Sequence, residues 1–386
     1  MISIDARIPS GRIEVVSADD PRDIRLAVPK DPHCDLMGWY HFRASGVRGV
    51  DCRFSLVNAG ESLKVRLANR EDYDDRWTNT GPVASYDRRH WFRLPATYDG
   101  MIFSFTHTPE HDLCYYGLWA PFPLDRDADM IARAQVSPRV RLETLGHSVE
   151  GRAIDMLTIG EAGPAKKRCW VIARQHPSET QGGFFLEGML DRLLDPSDPV
   201  ATALLDRAVL YVVPNMNPDG TANGLSRSNV LGVNLNREWV SPSRERSPEV
   251  LCVRDRMEAT GVDFCIDCHA DAELTCNFIW PSENVPTWTP ERREPFAVFE
   301  RHWAAASPDY EMGHPYPGGV PAQADLGMGW NWIGNRFPGA LSVLLEQPFK
   351  DVSWRRTPET GWSPQRATRL GASFPIALLG VLDALG

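Results

Sequence analysis

The sequence predicts an α/β domain with a mixed, largely parallel central sheet flanked by helices, preceded by an all-β antiparallel sandwich. Three observations predict it. Residues 1–122 carry short runs that alternate apolar and polar residues, separated by Gly, Pro, Asn and Asp. The Pro-rich stretch Pro121-Phe122-Pro123-Leu124-Asp125-Arg126 then marks a boundary, after which strand-like and helix-like segments alternate through residues 123–386. Finally, 386 residues exceed a single typical domain, so two are expected.

The first part reads as strands at 12–17, 23–28, 36–43, 50–58, 63–68, 90–94 and 101–106. Their close spacing suggests two packed antiparallel sheets, with Trp39, Tyr40, Phe42, Phe54, Trp91 and Phe92 filling the core. His33, His41, His90, His107 and His111 are dispersed without metal-ligand spacing and read as surface or hydrogen-bonded histidines. In the second part, 127–136 reads as a helix and 140–144 and 155–159 as strands around a turn at 146–151. A strand at 169–173 and a helix at 180–194 follow. The strand expected at 208–213 opens into Pro214-Asn215-Met216-Asn217-Pro218-Asp219-Gly220, a composition that reads as loop. Next come a helix at 248–260, a strand at 263–268, a helix at 294–306 and a strand at 341–345. A closing helix at 365–385 is expected to be interrupted or kinked by Pro375.

Composition narrows the function classes. A net charge of −10 argues against a nucleic-acid binder, which would show a basic face. The first residues lack the apolar core of a secretory signal, and no run of about 18 apolar residues suggests a membrane span. Eight scattered cysteines fit a reduced, cytoplasmic compartment.

Chemistry collects where the apolar runs stop. The run at 169–173 leads to His176-Pro177-Ser178-Glu179, the run at 263–268 ends on His269, and the run at 341–345 ends on Glu346. Ligands in open α/β sheets sit beyond the carboxyl ends of strands, so these residues are expected to share one site. His176, Glu179 and His269 form a two-histidine, one-carboxylate set that suits one catalytic Zn²⁺ and leaves a fourth position for water. Glu346 would take the proton of that zinc-bound water and hand it to a leaving amine. Asp267, on the same strand face as His269, is a candidate to orient its imidazole. Arg227 and Arg237 supply cations for a carboxylate or a developing oxyanion. Cys265-Ile266-Asp267-Cys268-His269 matches a covalent haem motif, and Cys265, Cys268 and Cys276 offer thiols for a structural metal. No companion haem feature or second cysteine pair supports either reading.

Taken in order, these motifs resemble a zinc metallocarboxypeptidase of the M14 family, most closely the bacterial type of the cytosolic carboxypeptidase-like subfamily. Gly146-His147-Ser148-Val149-Glu150-Gly151-Arg152 resembles that family's Gly-x-Ser-x-Glu-Gly-Arg segment, and His176-Pro177-Ser178-Glu179 its first two ligands, with Ser178 where Gly is commoner. Asn217-Pro218-Asp219-Gly220, Asn234-Leu235-Asn236-Arg237, Asp267-Cys268-His269 and Leu345-Glu346 resemble the later blocks, although Gln347-Pro348-Phe349 departs from the usual continuation. A β domain ahead of the peptidase domain also fits, so the likeness covers nearly the whole chain. The resemblance implies zinc at His176, Glu179 and His269, Glu346 as general base and acid, and Arg227 as oxyanion stabiliser. It further implies that Asn236 and Arg237 grip a substrate's terminal carboxylate, and that acidic carboxyl-terminal residues, glutamate among them, are favoured. Arg336 and Lys350, near Glu346 in sequence, are candidates for the side-chain pocket.

The expectation is thus a cytoplasmic zinc carboxypeptidase acting on peptide or protein C-terminal tails, with neither nucleic acid nor membrane as partner. Two alternatives share the same residues: a zinc amidohydrolase of small N-acyl amino acids, and an inactive module that binds carboxylate tails.

Overall fold

The computed structural model describes residues 2–63, 76–314 and 319–385. The amino-terminal part forms two sheets. One orders Ser3–Asp5, His41–Ser45, Leu113–Gly117, Val83–Ser85 and Phe92–Arg93, all antiparallel. The other orders Glu14–Ser17, Ile24–Ala27, Cys52–Leu56, Phe103–His107 and Ala96–Tyr98. Here the antiparallel expectation needs one correction, because Ile24–Ala27 pairs with Cys52–Leu56 in parallel. A 3-10 turn at Pro21–Asp23, capped by Asp20, sets the direction in which the chain enters Ile24–Ala27. Aromatic rings from both sheets meet between them: Phe54 lies 4.9 Å from Tyr116 and 5.9 Å from Phe42. Such rings bury large apolar area and prefer offset or tilted contacts. Phe92 is only half-buried, whereas His41, read as surface or hydrogen-bonded, is buried, which pushes its pKa down to about 3. Strands at Ser3–Asp5, Val83–Ser85, Ala96–Tyr98 and Leu113–Gly117 were not anticipated, and most of the run at 63–68 lies outside the described residues.

The second part is built on seven strands in the order Val140–His147, Ala153–Ile159, Ala208–Val213, Lys167–Ala173, Phe264–Asp271, Leu341–Pro348 and Phe278–Pro281. The middle four pair with one another in parallel, and the remaining pairings are antiparallel. Buried on both faces, the central strands are continuous apolar runs, as parallel strands covered by helices should be. Successive side chains point to opposite faces, which divides the core. Cys169, Val171, Ala173, Ile266 and Cys268 pack with residues of helices Gln181–Leu193, Arg293–Ala306 and Pro364–Val381. Trp170, Ile172, Val213 and Cys265 pack on the other face with Val250, Val253 and Met257 of helix Pro248–Thr260 and with Ile333 of helix Gly329–Arg336.

The division also removes the haem and thiol-metal readings. Cys265 and Cys268 lie in cores on opposite faces of the sheet and cannot hold one group together. The segment 214–220 is loop only as far as Asn217. That residue caps a short helix Pro218–Ala222 by accepting from the Gly220 amide, with Pro218 in the first turn, where its missing N–H costs nothing. Pro375 lies inside the closing helix without ending it, and this apolar helix is itself largely buried against Gln181–Leu193 and Arg293–Ala306.

Candidate metal centre and active site

Register brings the expected residues together. In the parallel pairs, Ala173 stands beside Cys268 and Cys268 beside Leu345, so His269 and Glu346 are neighbours on one face at the carboxyl edge. After Ala173 the chain turns through Arg174, whose φ of 64° is rarely adopted by a side chain larger than glycine. The turn is held because the buried Arg174 guanidinium donates to the carbonyls of Phe122 and Pro177 and to Thr221 Oγ1. His176 and Glu179 are thereby aimed back at His269.

His176, Glu179 and His269 are 2%, 5% and 1% exposed. Each of their ligand atoms lies within 4.8 Å of the others. Glu179 Oε1 is 2.7 Å from His176 Nδ1 and Oε2 is 2.7 Å from His269 Nδ1, while the two Nδ1 atoms are 3.2 Å apart. The outer nitrogens explain what the inner ones present. His176 Nε2 is 3.0 Å from Asn234 Oδ1, an oxygen also held by the Asn236 amide, and His269 Nε2 is 3.0 Å from Asp267 Oδ1. Both acceptors call for a proton on Nε2, which leaves the Nδ1 lone pairs and a carboxylate converging on one point. Three lone-pair donors without a proton between them are what a cation requires, so this donor set fits zinc.

The electrostatics differ between the two imidazoles. Burial first, and the Arg227 cation second, push His176 down to about 4, which keeps it a neutral ligand. Burial would lower His269 too, but the Asp267 and Glu179 carboxylates outweigh it and raise it. Burial works against an ionised Glu179, yet the two imidazoles hold it well below the usual carboxylate range. Glu346 lies well above that range, mainly through burial and then repulsion from Glu179.

Behind these groups stands a frame that the sequence reading only partly contained. Gln175 donates to both oxygens of Asp267, 2.9 and 2.8 Å away, and accepts from Trp239 Nε1. Asp219 accepts from Ser148 Oγ, the Glu150 amide and Arg152, so the Gly146–Arg152 turn and the Asn217–Gly220 block are joined in one network around the buried Asp219.

A cavity of about 390 Å³ opens at Glu179, with Arg227, Arg237, Phe349 and, from the amino-terminal part, Met37 and Arg76 among its walls. Arg227 Nη1 is 3.7 Å from Glu179 Oε1, and Arg237 Nε is 3.3 Å from Asp325 Oδ2. Asn236 is buried behind this wall: its Oδ1 accepts from the Gly329 amide and its Nδ2 is 3.3 Å from His269 Nε2. Neither Arg336 nor Lys350, the candidates for the side-chain pocket, is among the residues that wall this cavity; Arg336 pairs with Glu258 instead.

A mixed sheet with a two-histidine, one-carboxylate set at its carboxyl edge marks a candidate metal centre of the kind zinc hydrolases use. The profile of the zinc carboxypeptidase family matches residues 129–326, and that of the cytosolic carboxypeptidase N-terminal domain matches residues 4–119. A metallo-carboxypeptidase from Burkholderia cenocepacia has 39% identity and a TM-score of 0.93, with both chains covered completely. A metallo-carboxypeptidase from Pseudomonas aeruginosa, solved in complex with (2-guanidinoethylmercapto)succinic acid, has 37% identity and a TM-score of 0.92, again over both whole chains. Cytosolic carboxypeptidase 6 of Mus musculus is 30% identical over 70% of this chain and 53% of its own length. The chain belongs to the zinc carboxypeptidase family and is a peptidase, a hydrolase carrying the cytosolic carboxypeptidase amino-terminal domain.

Proposed function

We propose that the protein removes single residues from the carboxyl termini of peptides or proteins, with one zinc held by His176, Glu179 and His269. The observation that carries this reading is the placement of Glu346 in register with His269, beside a cavity walled by Arg227 and Arg237. Bound zinc would supply Lewis-acid polarisation of the scissile carbonyl and bring the pKa of a water toward ~7. Glu346 takes the proton of the attacking water and delivers it to the departing amine. Its burial beside Glu179 favours the protonated form, and a cation at the His176, Glu179 and His269 centre would offset this and leave Glu346 ionised for the first transfer. Arg227, next to Glu179, stabilises negative charge developing on the carbonyl oxygen. Arg237 receives the terminal carboxylate in its planar fork, and Asn236 fixes the backbone from which Arg237 projects.

The preference for acidic terminal residues rests on Arg76 of the cavity wall, which Asp35 and Glu273 also line. Residues 1–122 are assigned to the β-sandwich domain and 123–386 to the catalytic domain. A cytoplasmic location is supported by the relatives' cytosolic names and by eight cysteines that form no disulfide.

The clamp is tested by Arg237→Ala. KM for a free-carboxylate peptide should rise about 100-fold, since one charge-assisted pair is worth roughly 2–3 kcal/mol, while the already slow cleavage of the amidated peptide changes little. An unchanged KM for the free acid would place the clamp elsewhere.

A further inference from the structure

Arg227 sits on a turn that the catalytic domain does not hold alone. Asp31, on the amino-terminal side of the molecule and 3% exposed, receives four hydrogen bonds from that turn. Its Oδ1 accepts from the Ser226 amide at 2.7 Å. Its Oδ2 accepts from the Arg227 amide at 2.8 Å, the Ser228 amide at 3.0 Å and Ser228 Oγ at 3.1 Å. The same turn reaches the metal ligands, because the Ser226 carbonyl accepts from Ser178 Oγ at 2.6 Å, one residue before Glu179. The contact is close throughout: at Gly232, with φ of 76°, any Cβ would lie 2.6 Å from the Pro32 carbonyl. Successive amides converging on one carboxylate fix the plane of each peptide bond, and hence the direction in which the intervening side chain leaves the backbone.

We infer that Asp31 is a positioning residue for catalysis: through the amides of Ser226–Ser228 it aims the Arg227 guanidinium at the reacting carbonyl. The amino-terminal domain thereby completes the active site. This rests on the oxyanion role proposed for Arg227, and Asp31 itself touches neither metal ligand nor substrate. A carboxylate that only stabilised the loop would give the same contacts, so the test must separate direction from stability.

The experiment is a double-mutant cycle on zinc-loaded enzyme, with kcat and KM measured for wild type, Asp31→Asn, Arg227→Ala and the double variant, and with zinc content and amide hydrogen exchange measured in parallel. Asp31→Asn should lower kcat about tenfold with KM nearly unchanged and one zinc retained, and should have almost no further effect once Arg227 is alanine. Exchange at the amides of residues 226–228 should quicken. An equal loss of kcat in both backgrounds, or no loss in either, overturns the positioning role. If Arg227→Ala keeps wild-type kcat, the oxyanion assignment itself fails; exchange at 226–228 then decides whether Asp31 holds the turn, and unchanged exchange overturns that as well. Ser228→Ala removes a single donor to Asp31 and serves if Asp31→Asn does not fold. Its loss of kcat, about threefold, should likewise vanish without Arg227.

Discussion

Two buried carboxylates near the site, Asp219 and Glu249, differ in what surrounds them. Asp219 is ringed by donors, whereas Glu249 is met only weakly, by its own amide, the Val149 amide and Asn229. Burial therefore pushes Glu249 up to about 7 from its ordinary 4.5. Below pH 4.5 the group is protonated whether folded or not, and its contribution to stability is whole. Between 4.5 and 7 the unfolded chain releases the proton that the folded chain keeps, so stability falls as pH rises, by about 3 kcal/mol in all. Urea unfolding of wild type and Glu249→Gln from pH 5 to 8 should show the variant losing less stability over that range; parallel curves would contradict it. At this scale legibility followed chain geometry. His176, His269 and Glu346 were readable because each stands at the end of an apolar run. Asn234 and Asp31 were not, since their roles depend on partners 58 and about 195 residues away. Gln175 was hidden differently: it lies beside a ligand in sequence but works sideways, across the sheet, on Asp267.

Elements were legible where one period dominated. Ala208–Val213 and Pro248–Thr260 match their expected bounds, the first as an unbroken apolar run and the second between Pro248 and Gly261. Helix Pro199–Arg207 was missed, although its signal is present: Asp198 accepts from the amides of Val200 and Ala201, with Pro199 in the first turn. Helix Gly329–Arg336 has two glycines and two asparagines and no propensity signal; it forms because Trp332 and Ile333 are drawn into the core. The helix pair Gln181–Leu193 and Pro364–Val381 shows the opposite logic, with glycines placed for contact. A Cβ at Gly188 would lie 1.8 Å from the Thr368 carbonyl, and one at Gly371 would lie 1.8 Å from the Phe185 carbonyl. Gly188→Ala must separate the backbones, so a loss of about 2–3 kcal/mol in chemical denaturation is expected despite alanine's better helix propensity. A neutral or stabilising outcome would mean that the helices can part freely.

Across the whole molecule, the sandwich and the α/β sheet share one continuous apolar core. Trp119 Nε1 donates to the Trp362 carbonyl, and Arg93 donates to the Phe349 carbonyl just past Glu346. The order of motifs along the chain predicted both folds and brought the three candidate ligands to one point, but nothing in residues 1–122 announced that this part would reach the turn at Ser226–Ser228. That juncture exists only once the chain is folded. The central claim is that these parts form a peptidase in which Glu346 moves the proton. It is tested most directly by mass-spectrometric cleavage of a mixed peptide library with wild type and Glu346→Gln, both shown to contain zinc. The account predicts loss of single carboxyl-terminal residues by wild type, acidic ones fastest, and a rate at least about 1,000-fold lower for the variant. Wild-type turnover by Glu346→Gln with zinc in place would contradict it.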